Sequence, residues 1–552
     1  MNVKMSKVKK WPGHSTIKKI VATAFLITAV LACGCSDTSF FGGTEENKTE
    51  YKISDRIFLP MEKVRTLNPA ISKDEDTYFI SKLVYNGLFE FDEHLIPQKK
   101  LVDSYSYDND TLTLSLSLKR GVKWHDGKEF TSADVKSSID AYVSLSYSNE
   151  TVYSSYVSNI KSVSTDKNDL YKVTVSFKNP GNVAVENLTF PIMPAHQFKK
   201  MSDIKISPDR FIPIGTGAYR VEGYNNLSQL VLSANDNYFD KVPQNNLEFV
   251  IFPQKKEALN LVNVSNITIL YDKDLDRDTL INNMNVKSVD FISNEAEMIG
   301  FNFRNPMTQN KKLRQAIACA INLQEILDGA YLKSGVFSDT IYYPNYYGVA
   351  GNGDEYDYNL EQALLLLEES GFADIDDDGY IDDQDGKPYS FKILVNSEDQ
   401  FRVAAAQIIK NGLDKLPLDT YIKYCDWNQY MSDIASGNYD LYIGGYTFNE
   451  RYDLRNALHS AYNNPLGYSN ADLDQLLDEM QSGVSVKRKT ELFEQIRAIL
   501  ADEIPYYCIL YKTYGAIASD TLEGEVKPLF NNLFNGCEKW MCKYEIPAAV
   551  AE

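Results

Sequence analysis

The pattern of apolar and polar residues along the chain predicts a mixture of strands and helices. Residues 111–119 and 169–177 alternate strictly between the two types, as in strands with one buried and one solvent-facing side. Apolar runs predict further strands at 56–59, within 218–250, and at 390–395 and 439–445. Helical spacing of apolar residues predicts helices within 76–92, ending near Gly87, and at 312–330, 359–370, 401–415, 470–480 and 486–502. Because strands and helices do not alternate regularly, the pattern indicates α/β and α+β lobes.

A further helix is predicted to begin after Thr131. The preceding His125-Asp126-Gly127 is typical of a tight turn. Thr131 is a suitable N-cap, and Asp134 stands three residues on, where it can complete a capping box. We therefore expect His125 to be a structural residue of the turn.

The first 32 residues have the features of a secretory signal. Six lysines precede an apolar run of 13 residues at 20–32, which is shorter than the roughly 17–25 residues of a membrane-spanning helix. The run ends in Val30-Leu31-Ala32-Cys33, which resembles a bacterial lipobox, in which the cysteine is acylated and becomes the new N-terminus. We expect residues 1–32 to be a lipoprotein signal peptide, Cys33 to be the lipidation site and residues 33–50 to be a flexible tether. The alternatives are an uncleaved anchor and a secreted protein without lipid.

Composition and charge exclude several classes of protein. The 552 residues are 44% hydrophobic and 12% aromatic, enough to bury a core and to exclude wholesale disorder. At about 100–200 residues per domain, the length predicts three or four domain-sized units. The net charge of -20 repels phosphate backbones, so we expect no nucleic-acid partner. Seven cysteines are too few for a disulfide scaffold.

About ten short motifs in a fixed order carry a resemblance to a known family. The longest is Leu118-Lys119-Arg120-Gly121-Val122-Lys123-Trp124-His125-Asp126-Gly127, followed by Phe130-Thr131-Ser132-Ala133-Asp134-Val135. The others are Thr66-Leu67-Asn68-Pro69, Tyr85-Asn86-Gly87-Leu88-Phe89, Gly215-Thr216-Gly217-Ala218-Tyr219-Arg220, Ala234-Asn235-Asp236-Asn237-Tyr238-Phe239, Gly300-Phe301-Asn302-Phe303, Leu313-Arg314-Gln315-Ala316-Ile317, Asp426-Trp427, Tyr439-Asp440, Gly467-Tyr468-Ser469-Asn470 and Ile504-Pro505. Over residues 51–542 the chain resembles the bacterial extracellular solute-binding proteins of family 5, the peptide- and nickel-binding subunits of ABC importers.

This resemblance implies an α/β fold of two hinged lobes. The expected architecture is the periplasmic-binding-protein-like fold, type II and cluster C, with an extra domain inserted in lobe I. We expect lobe I at 51–90, 210–295 and 521–552, the inserted domain at 91–209 and lobe II at 296–520. Two or three strands would cross between the lobes and form the hinge, and the lobes would close around a ligand.

The resemblance also implies a ligand site in the cleft between the lobes. Peptide-binding relatives hold an extended peptide, and one acid usually neutralises the α-amine of the ligand. The matching position here is Asn449, so either Glu450 or Asp453 replaces that acid or the ligand lacks a free amine; Glu450 could also be a solvated loop acid. Further residues expected at the site are Asn68 and Asn302 facing the cleft, Tyr446 in its wall or in the core, and Arg451 on a ligand carboxylate or in a surface ion pair.

Residues 374–385 fit the pattern of an EF-hand calcium loop. Oxygen-bearing side chains stand at positions 1, 3, 5, 9 and 12, glycine at position 6 and isoleucine at position 8. Position 12 is aspartate instead of glutamate, and no second EF-hand helix is evident. The alternatives are a structural Ca²⁺ site and an acidic surface turn. The ligands of the site would be Asp374, Asp376, Asp378, Tyr380, Asp382 and Asp385.

The sequence contains none of the common catalytic motifs, neither a nucleophile elbow nor a Walker loop nor a zinc-protease motif. We therefore expect no enzyme activity and no cofactor beyond that Ca²⁺. The expected function is a monomeric binding protein that is lipid-anchored to the cell membrane on its extracellular or periplasmic face and delivers peptides to an ABC permease. The alternative ligand is an oligosaccharide or another small solute. A protein of the same fold could also act as a sensor, and the competing class of protein is a secreted hydrolase.

Overall fold

The computed structural model describes residues 51–545, apart from 182, 199, 206–210, 263–266 and 352–355. The predicted signal peptide, the tether and Cys33 therefore lie outside the described residues. Within the described part of the chain, no helix is both long and apolar enough to cross a membrane.

The described strands form five sheets. In chain order they are β1 (Tyr51–Ser54), β2 (Arg56–Glu62), β3 (Phe89–Phe91), β4 (Pro97–Lys99), β5 (Val102–Asp108), β6 (Thr113–Leu118), β7 (Ile160–Thr165), β8 (Lys172–Phe177), β9 (Tyr219–Asn225), β10 (Gln229–Ala234), β11 (Asn246–Phe252), β12 (Ile269–Asp272), β13 (Val286–Phe301), β14 (Gly335–Val336), β15 (Ser390–Asn396), β16 (Asp419–Cys425), β17 (Leu441–Thr447), β18 (Tyr506–Ser519), β19 (Leu522–Glu523) and β20 (Met541–Glu545).

The described α-helices cover the faces of these sheets. They are α1 (Glu75–Val84), α2 (Ser132–Tyr147), α3 (Ser154–Val157), α4 (Met201–Ile204), α5 (Leu259–Val262), α6 (Arg277–Ile281), α7 (Pro306–Gln309), α8 (Lys311–Cys319), α9 (Leu323–Gly329), α10 (Leu360–Ser370), α11 (Gln400–Leu413), α12 (Trp427–Ser436), α13 (Arg455–Leu458), α14 (Ala471–Met480) and α15 (Val486–Glu503).

The largest sheet has the strand order β12-β18-β13-β17-β15-β16, and the short β14 also pairs with β18. Its two faces bury different apolar cores, because side chains alternate along each strand. On β17, Leu441 and Ile443 belong to one core and Tyr442 to the other. On β15, Ile393 and Leu394 divide in the same way.

Two further four-stranded sheets lie outside the largest one. One has the order β2-β11-β10-β9, and the other, β5-β6-β8-β7, lies wholly within the predicted inserted domain. A single apolar core includes residues of both. The remaining sheets are β1-β20-β19 and β3-β4.

Two long antiparallel strands, β13 and β18, connect these regions. The end of β18 at Ala516 and Ala518 belongs to the core of the smaller sheets, whereas Ile509 and Leu510 belong to a core of the largest sheet. The register of the pair shifts between Ile292 and Ala296, so β13 carries a bulge at 293–295. β13 and β18 are therefore the strands that join the two lobes.

The capped helix after Thr131 is confirmed. The Thr131 N–H donates to the Asp134 carboxylate at 2.9 Å, and helix α2 begins at the next residue. His125 accepts from the Gly215 N–H through Nδ1 at 3.1 Å, and its Nε2 lies 3.0 Å from the Gly217 carbonyl oxygen. Burial lowers the pKa of His125, which favours the neutral ring that these two bonds require. The turn motif is scaffold, as expected.

One predicted helix is wrong in its continuity. Residues 312–330 form two helices, α8 and α9, instead of one. The break occurs because Asn322 begins the second helix: its side chain accepts from the Glu325 N–H at 3.1 Å. Asparagine competes for the backbone in this way and favours caps over helix interiors.

The two cysteines near the end of the chain are free thiols in the structure. Both are buried, and they contact different partners: the Cys537 sulfur lies 3.6 Å from the Tyr219 hydroxyl oxygen and the Cys542 sulfur 3.6 Å from that of Thr268. Cys319 and Cys508 are also buried free thiols, whereas the free thiol Cys425, at the end of β16, is only partly buried although its apolar surroundings in the sequence predict burial.

Candidate functional site

A cavity of about 640 Å³ lies where segments from all three predicted structural units meet. Predicted lobe I, the inserted domain and lobe II all contribute to its wall. The bulge of β13 contributes Asn294, and the end of β17 leads directly into the wall. The lining residues are 69, 72–75, 77–79, 81, 152, 153, 155, 156, 294, 447–450, 530 and 531.

Another cavity, of about 530 Å³, lies on the β5-β6-β8-β7 sheet and is lined mainly by small polar side chains such as Ser104 and Thr174. It belongs to one sheet surface, so closure of the lobes cannot enclose a ligand there. The 640 Å³ cavity is therefore the candidate ligand site.

Two of the predicted site residues, Asn449 and Glu450, line this cavity. Asn449 is exposed, and its side-chain oxygen accepts from the Arg451 N–H at 3.0 Å. Glu450 is only 5% exposed and so is not a solvated loop acid.

Four side chains from other segments occupy both carboxylate oxygens of Glu450. Oε2 accepts from the Tyr78 hydroxyl at 3.1 Å and from Lys82 Nζ at 3.2 Å. Oε1 accepts from the Tyr156 hydroxyl at 3.5 Å and from the Thr189 hydroxyl at 3.3 Å. Burial, followed by the Glu450 charge, raises the pKa of both tyrosines, so their hydroxyls remain protonated donors. The acid thus ties the loop after β17 to α1 and to the predicted inserted domain.

Arg451 also connects that loop to the predicted inserted domain. It is buried, its Nη1 donates to the Asn187 side chain at 2.5 Å, and its Nη2 donates to the Ser155 hydroxyl at 2.8 Å. The guanidinium stacks 4.2 Å from the centre of the Tyr156 ring. These contacts place it neither on the cavity wall nor in a surface ion pair.

Asp453 and Tyr446 lie beside the cavity, not in its wall. Both oxygens of Asp453 accept from Arg455, at 2.9 and 2.7 Å. Tyr446 stacks on Phe448 at 5.7 Å between ring centres, and its hydroxyl lies 3.2 Å from that of Tyr506. Tyr446 therefore packs against Phe448. Phe448 directly follows β17 and lines the cavity.

Asn68 and Asn302 are buried structural residues. The Asn68 amide donates to the Ile204 carbonyl at 2.8 Å, and its side-chain oxygen accepts from the Ala70 N–H. The Asn302 amide donates to the carbonyls of Gly437 and Tyr439, at 2.9 and 2.7 Å. Neither side chain lines the cavity. Most residues of the segment 69–77, which follows Asn68, do line it.

Sequence reasoning missed several residues of the cavity. Asn531 is 3% exposed, lines the cavity and has a side-chain oxygen with no hydrogen-bond partner among the described residues. Asp74, the N-cap of α1, lines it as well and forms no ion pair in the described structure. The aromatic lining residues are Tyr78, Phe79, Tyr153, Tyr156, Phe448 and Phe530. None of the four described histidines is in the wall.

The predicted calcium loop lies between α10 and β15, away from the cavity. Carboxylate oxygens of Asp374, Asp376 and Asp382 lie within 4.8 Å of one another. Two of the other predicted ligands, Asp378 and Asp385, lie outside this group. Asp378 accepts from the Tyr380 N–H at 2.9 Å, and Asp385 lies 3.5 Å from Lys387 Nζ.

Comparison with known proteins agrees with this fold. Residues 97–465 match the family described as "Bacterial extracellular solute-binding proteins, family 5 Middle". The chain is 26% identical over 549 residues to the oligopeptide-binding protein AppA of Bacillus subtilis, covering 94% of this chain and 98% of AppA. It is 25% identical over 448 residues to the nickel-binding protein NikA of Staphylococcus aureus, covering 77% and 82% of the two chains.

A solved structure supports the same assignment at the level of the fold. The unliganded open form of MppA, described as a periplasmic murein tripeptide-binding protein, has a TM-score of 0.75 at 17% identity, covering 90% of this chain and 99% of MppA. The fold is thus that of the two-lobe periplasmic binding proteins, as predicted. With a family match that covers most of its length and this shared fold, the chain belongs to the bacterial extracellular solute-binding proteins of family 5, the substrate-binding proteins of peptide and nickel ABC importers.

Proposed function

We propose that the protein is a lipid-anchored, extracellular component of an ABC importer that captures short peptides and delivers them to its permease. The observation that carries the proposal is the 640 Å³ cavity, whose wall is shared between both lobes and the inserted domain. A ligand in such a cavity contacts every unit at once only when the lobes are closed, so it favours the closed state. The volume falls in the range of about 300–1,000 Å³ that is typical of small-ligand sites, which favours short peptides.

The polar groups of the wall suit a peptide with a free amine end. Asn531 offers an unpaired acceptor for a ligand N–H, since a buried amide oxygen gains free energy when a donor reaches it. Asp74 offers a carboxylate without a cationic partner in the described structure. Glu450, by contrast, already accepts four hydrogen bonds, which fills the roughly four lone-pair positions of a carboxylate. We therefore assign the α-amine of the ligand to Asp74 and the contact between lobes to Glu450.

An oligosaccharide or another small solute is the second candidate. The six aromatic side chains of the wall outnumber its three acids, Asp74, Glu75 and Glu450. Aromatic faces stack on the apolar faces of sugar rings, whereas a site for charged peptide ends depends on acids and bases. A nickel complex held by histidine has less support, because no described histidine lines the cavity.

Isothermal titration of the mature protein with short peptides, their N-acetylated forms and oligosaccharides tests the function. We expect Asp74→Asn to weaken the affinity for peptides with a free amine by about tenfold or more, because a hydrogen bond to a charged group contributes about 1.5–3 kcal/mol. The affinity of the same variant for N-acetylated peptides should stay almost unchanged. Heat with oligosaccharides alone would establish the second candidate, and no heat with any peptide mixture would refute the first.

Glu450→Gln is the matched control for that change. It weakens the contact between the β17 loop and α1, so it lowers the closed population and reduces affinity for free and acetylated peptides by the same factor. The buried pair Glu186–Lys489, which also joins the inserted domain to α15, remains in this variant. If Glu450→Gln selectively lost affinity for peptides with a free amine and Asp74→Asn lost none, the two assignments would be reversed.

The anchor is part of the proposal and rests on Cys33, which follows the 13-residue apolar run. Two acyl chains hold a protein firmly at a membrane, because each buried CH₂ contributes about 0.8 kcal/mol. We expect Cys33→Ser to move the protein from the membrane fraction to the medium or the soluble extracellular fraction. Cys35→Ser, two residues on, is the control and should leave it in the membrane fraction. Equal retention of both variants would contradict the assignment of Cys33.

A further inference from the structure

The loop between α10 and β15 concentrates negative charge that nothing in the described structure balances. Carboxylate oxygens of Asp374, Asp376 and Asp382 lie within 4.8 Å of one another. Among the described residues, none of the three forms an ion pair; the nearby Lys387 lies 3.5 Å from Asp385 instead. Three like charges this close repel one another unless a cation lies between them.

Asp382 provides a second and independent observation. Its side chain is 1% exposed, and its Oδ1 has no hydrogen-bond partner in the described structure, while Oδ2 accepts from the Ile375 N–H at 2.8 Å. A buried carboxylate oxygen without a partner is costly, and natural proteins pair such groups or coordinate metals with them. Asp382 is one of the three clustered acids. We therefore expect the missing partner of its Oδ1 to lie between the three carboxylates.

The backbone of the loop turns around this group of acids and donates hydrogen bonds to one of them. The N–H groups of Asp378 and Gly379 donate to Asp374, at 3.2 and 2.9 Å. Asp377 and Gly379 have φ values of 64° and 95°, so the chain turns sharply between the first two acids and the third. Ile381, beside Asp382, is buried in a core of the largest sheet, and its N–H donates to the Pro417 carbonyl at 3.0 Å.

We propose that this loop binds one Ca²⁺ through Asp374, Asp376 and Asp382. Oxygen ligands select a hard cation, and the group contains no nitrogen or sulfur donor that would favour zinc or nickel. Ca²⁺ accepts irregular geometry with six to eight oxygens, whereas Mg²⁺ demands a near-ideal octahedron, so an open group of three acids suits Ca²⁺ better. The ion has a structural role: it fixes Ile381 and Asp382 against the core of lobe II and lies outside the ligand cavity.

Calcium titration of the mature protein, followed by calorimetry and by thermal unfolding, tests this site. For an extracellular module we expect a Kd of about 10⁻⁴–10⁻³ M, and a melting temperature that rises with added Ca²⁺ and falls again with a chelator. Mg²⁺ at the same concentrations should give a much smaller rise. Asp382→Asn should weaken Ca²⁺ binding by about tenfold or more, since it removes the charge of a coordinating ligand.

Three further variants keep the test decisive. Asp376→Asn, at an exposed ligand position, should weaken binding as strongly even if Asp382→Asn fails to fold. Asp377→Asn removes the same charge within the loop, tolerates the same positive φ and should leave the affinity within about twofold. Asp385→Asn should behave like Asp377→Asn if its side chain stays outside the site. No Ca²⁺-dependent heat or melting shift in the wild type, an equal response to Mg²⁺, or an equal loss in Asp376→Asn and Asp377→Asn would each overturn the proposal.

Discussion

Replacing Glu297 with glutamine lowers the free energy of unfolding by about 3–5 kcal/mol, the cost of removing one member of a buried ion pair. Glu297 lies toward the end of β13 and is 1% exposed. It accepts from Arg402 Nε and Nη2, at 2.8 and 3.0 Å, and lies 2.9 Å from Lys512 Nζ. The Tyr331 hydroxyl donates to it at 3.2 Å. Glutamine keeps the volume but leaves two partly buried cations without their shared anion.

The electrostatics of this group support that magnitude. Burial alone would lower the pKa of Arg402 and of Lys512, yet both pKa values are raised, because Glu297 bonds to both cations. Glutamine removes the charge that raises both pKa values, so in the variant the burial of the two bases is offset far less. The group connects β13, β18 and α11, so its loss affects the strands that join the lobes.

Glu295→Gln is the matched control for Glu297→Gln. It lies two residues away on the same strand, at the bulge, with its side chain 28% exposed and its Oε2 3.4 Å from Lys512 Nζ. A partly exposed pair of this kind contributes about 0–1 kcal/mol. Urea unfolding of both variants separates the two predictions, and similar losses in both would show that Glu297 is not the buried centre of the group.

Gly215→Ala is the second substitution with a large expected effect, a loss of at least about 3 kcal/mol in unfolding free energy. A Cβ at this position would lie 1.7 Å from the Val84 carbonyl oxygen and 2.5 Å from its carbon. Both are backbone atoms at the end of α1, which cannot move aside as the tip of a side chain can. His125 also donates its N–H to the Gly215 carbonyl at 2.9 Å, so a shift of this segment would break the turn at His125 as well.

Gly223→Ala provides the control for this effect. Gly223 lies in β9, and a Cβ there would have no neighbouring atom within 4 Å. We expect its unfolding free energy to stay within about 1 kcal/mol of the wild type, since alanine restricts the unfolded chain slightly more than glycine does. Equal urea midpoints for the two alanine variants would contradict the close approach of Gly215 to α1.

Much of the fold could be predicted from the sequence because it depends on local patterns. Strict alternation identified β6 and β8, since each has one buried face. The capping box at Thr131 and Asp134 fixed the start of α2. The break between α8 and α9 was missed because the helical spacing of apolar residues continues across it, and only the cap at Asn322 marks the end.

The candidate site was harder to predict, because its residues meet only in the folded chain. The resemblance to the family pointed to the segment after β17, and Asn449 and Glu450 do line the cavity. The partners of Glu450 come from α1 and from the predicted inserted domain, at Lys82 and Thr189, and no local pattern connects such distant positions. Asn531 likewise stands in a loop with no motif. Asn302 follows a strand in the family pattern, but its amide bonds to two backbone carbonyls show that this pattern marks a structural turn.

The central claim is that a small solute, a peptide in the first instance, occupies the cavity beside the end of β17. Native mass spectrometry of the protein purified from its host tests this claim most directly, together with fragmentation of any bound species. Thr447→Trp fills the cavity from the exposed end of β17, and Thr174→Trp makes the same change in the cavity of the β5-β6-β8-β7 sheet. We expect the wild type and Thr174→Trp to carry short peptides and Thr447→Trp to carry none. A bound ligand that survives in Thr447→Trp but is lost in Thr174→Trp would contradict the account.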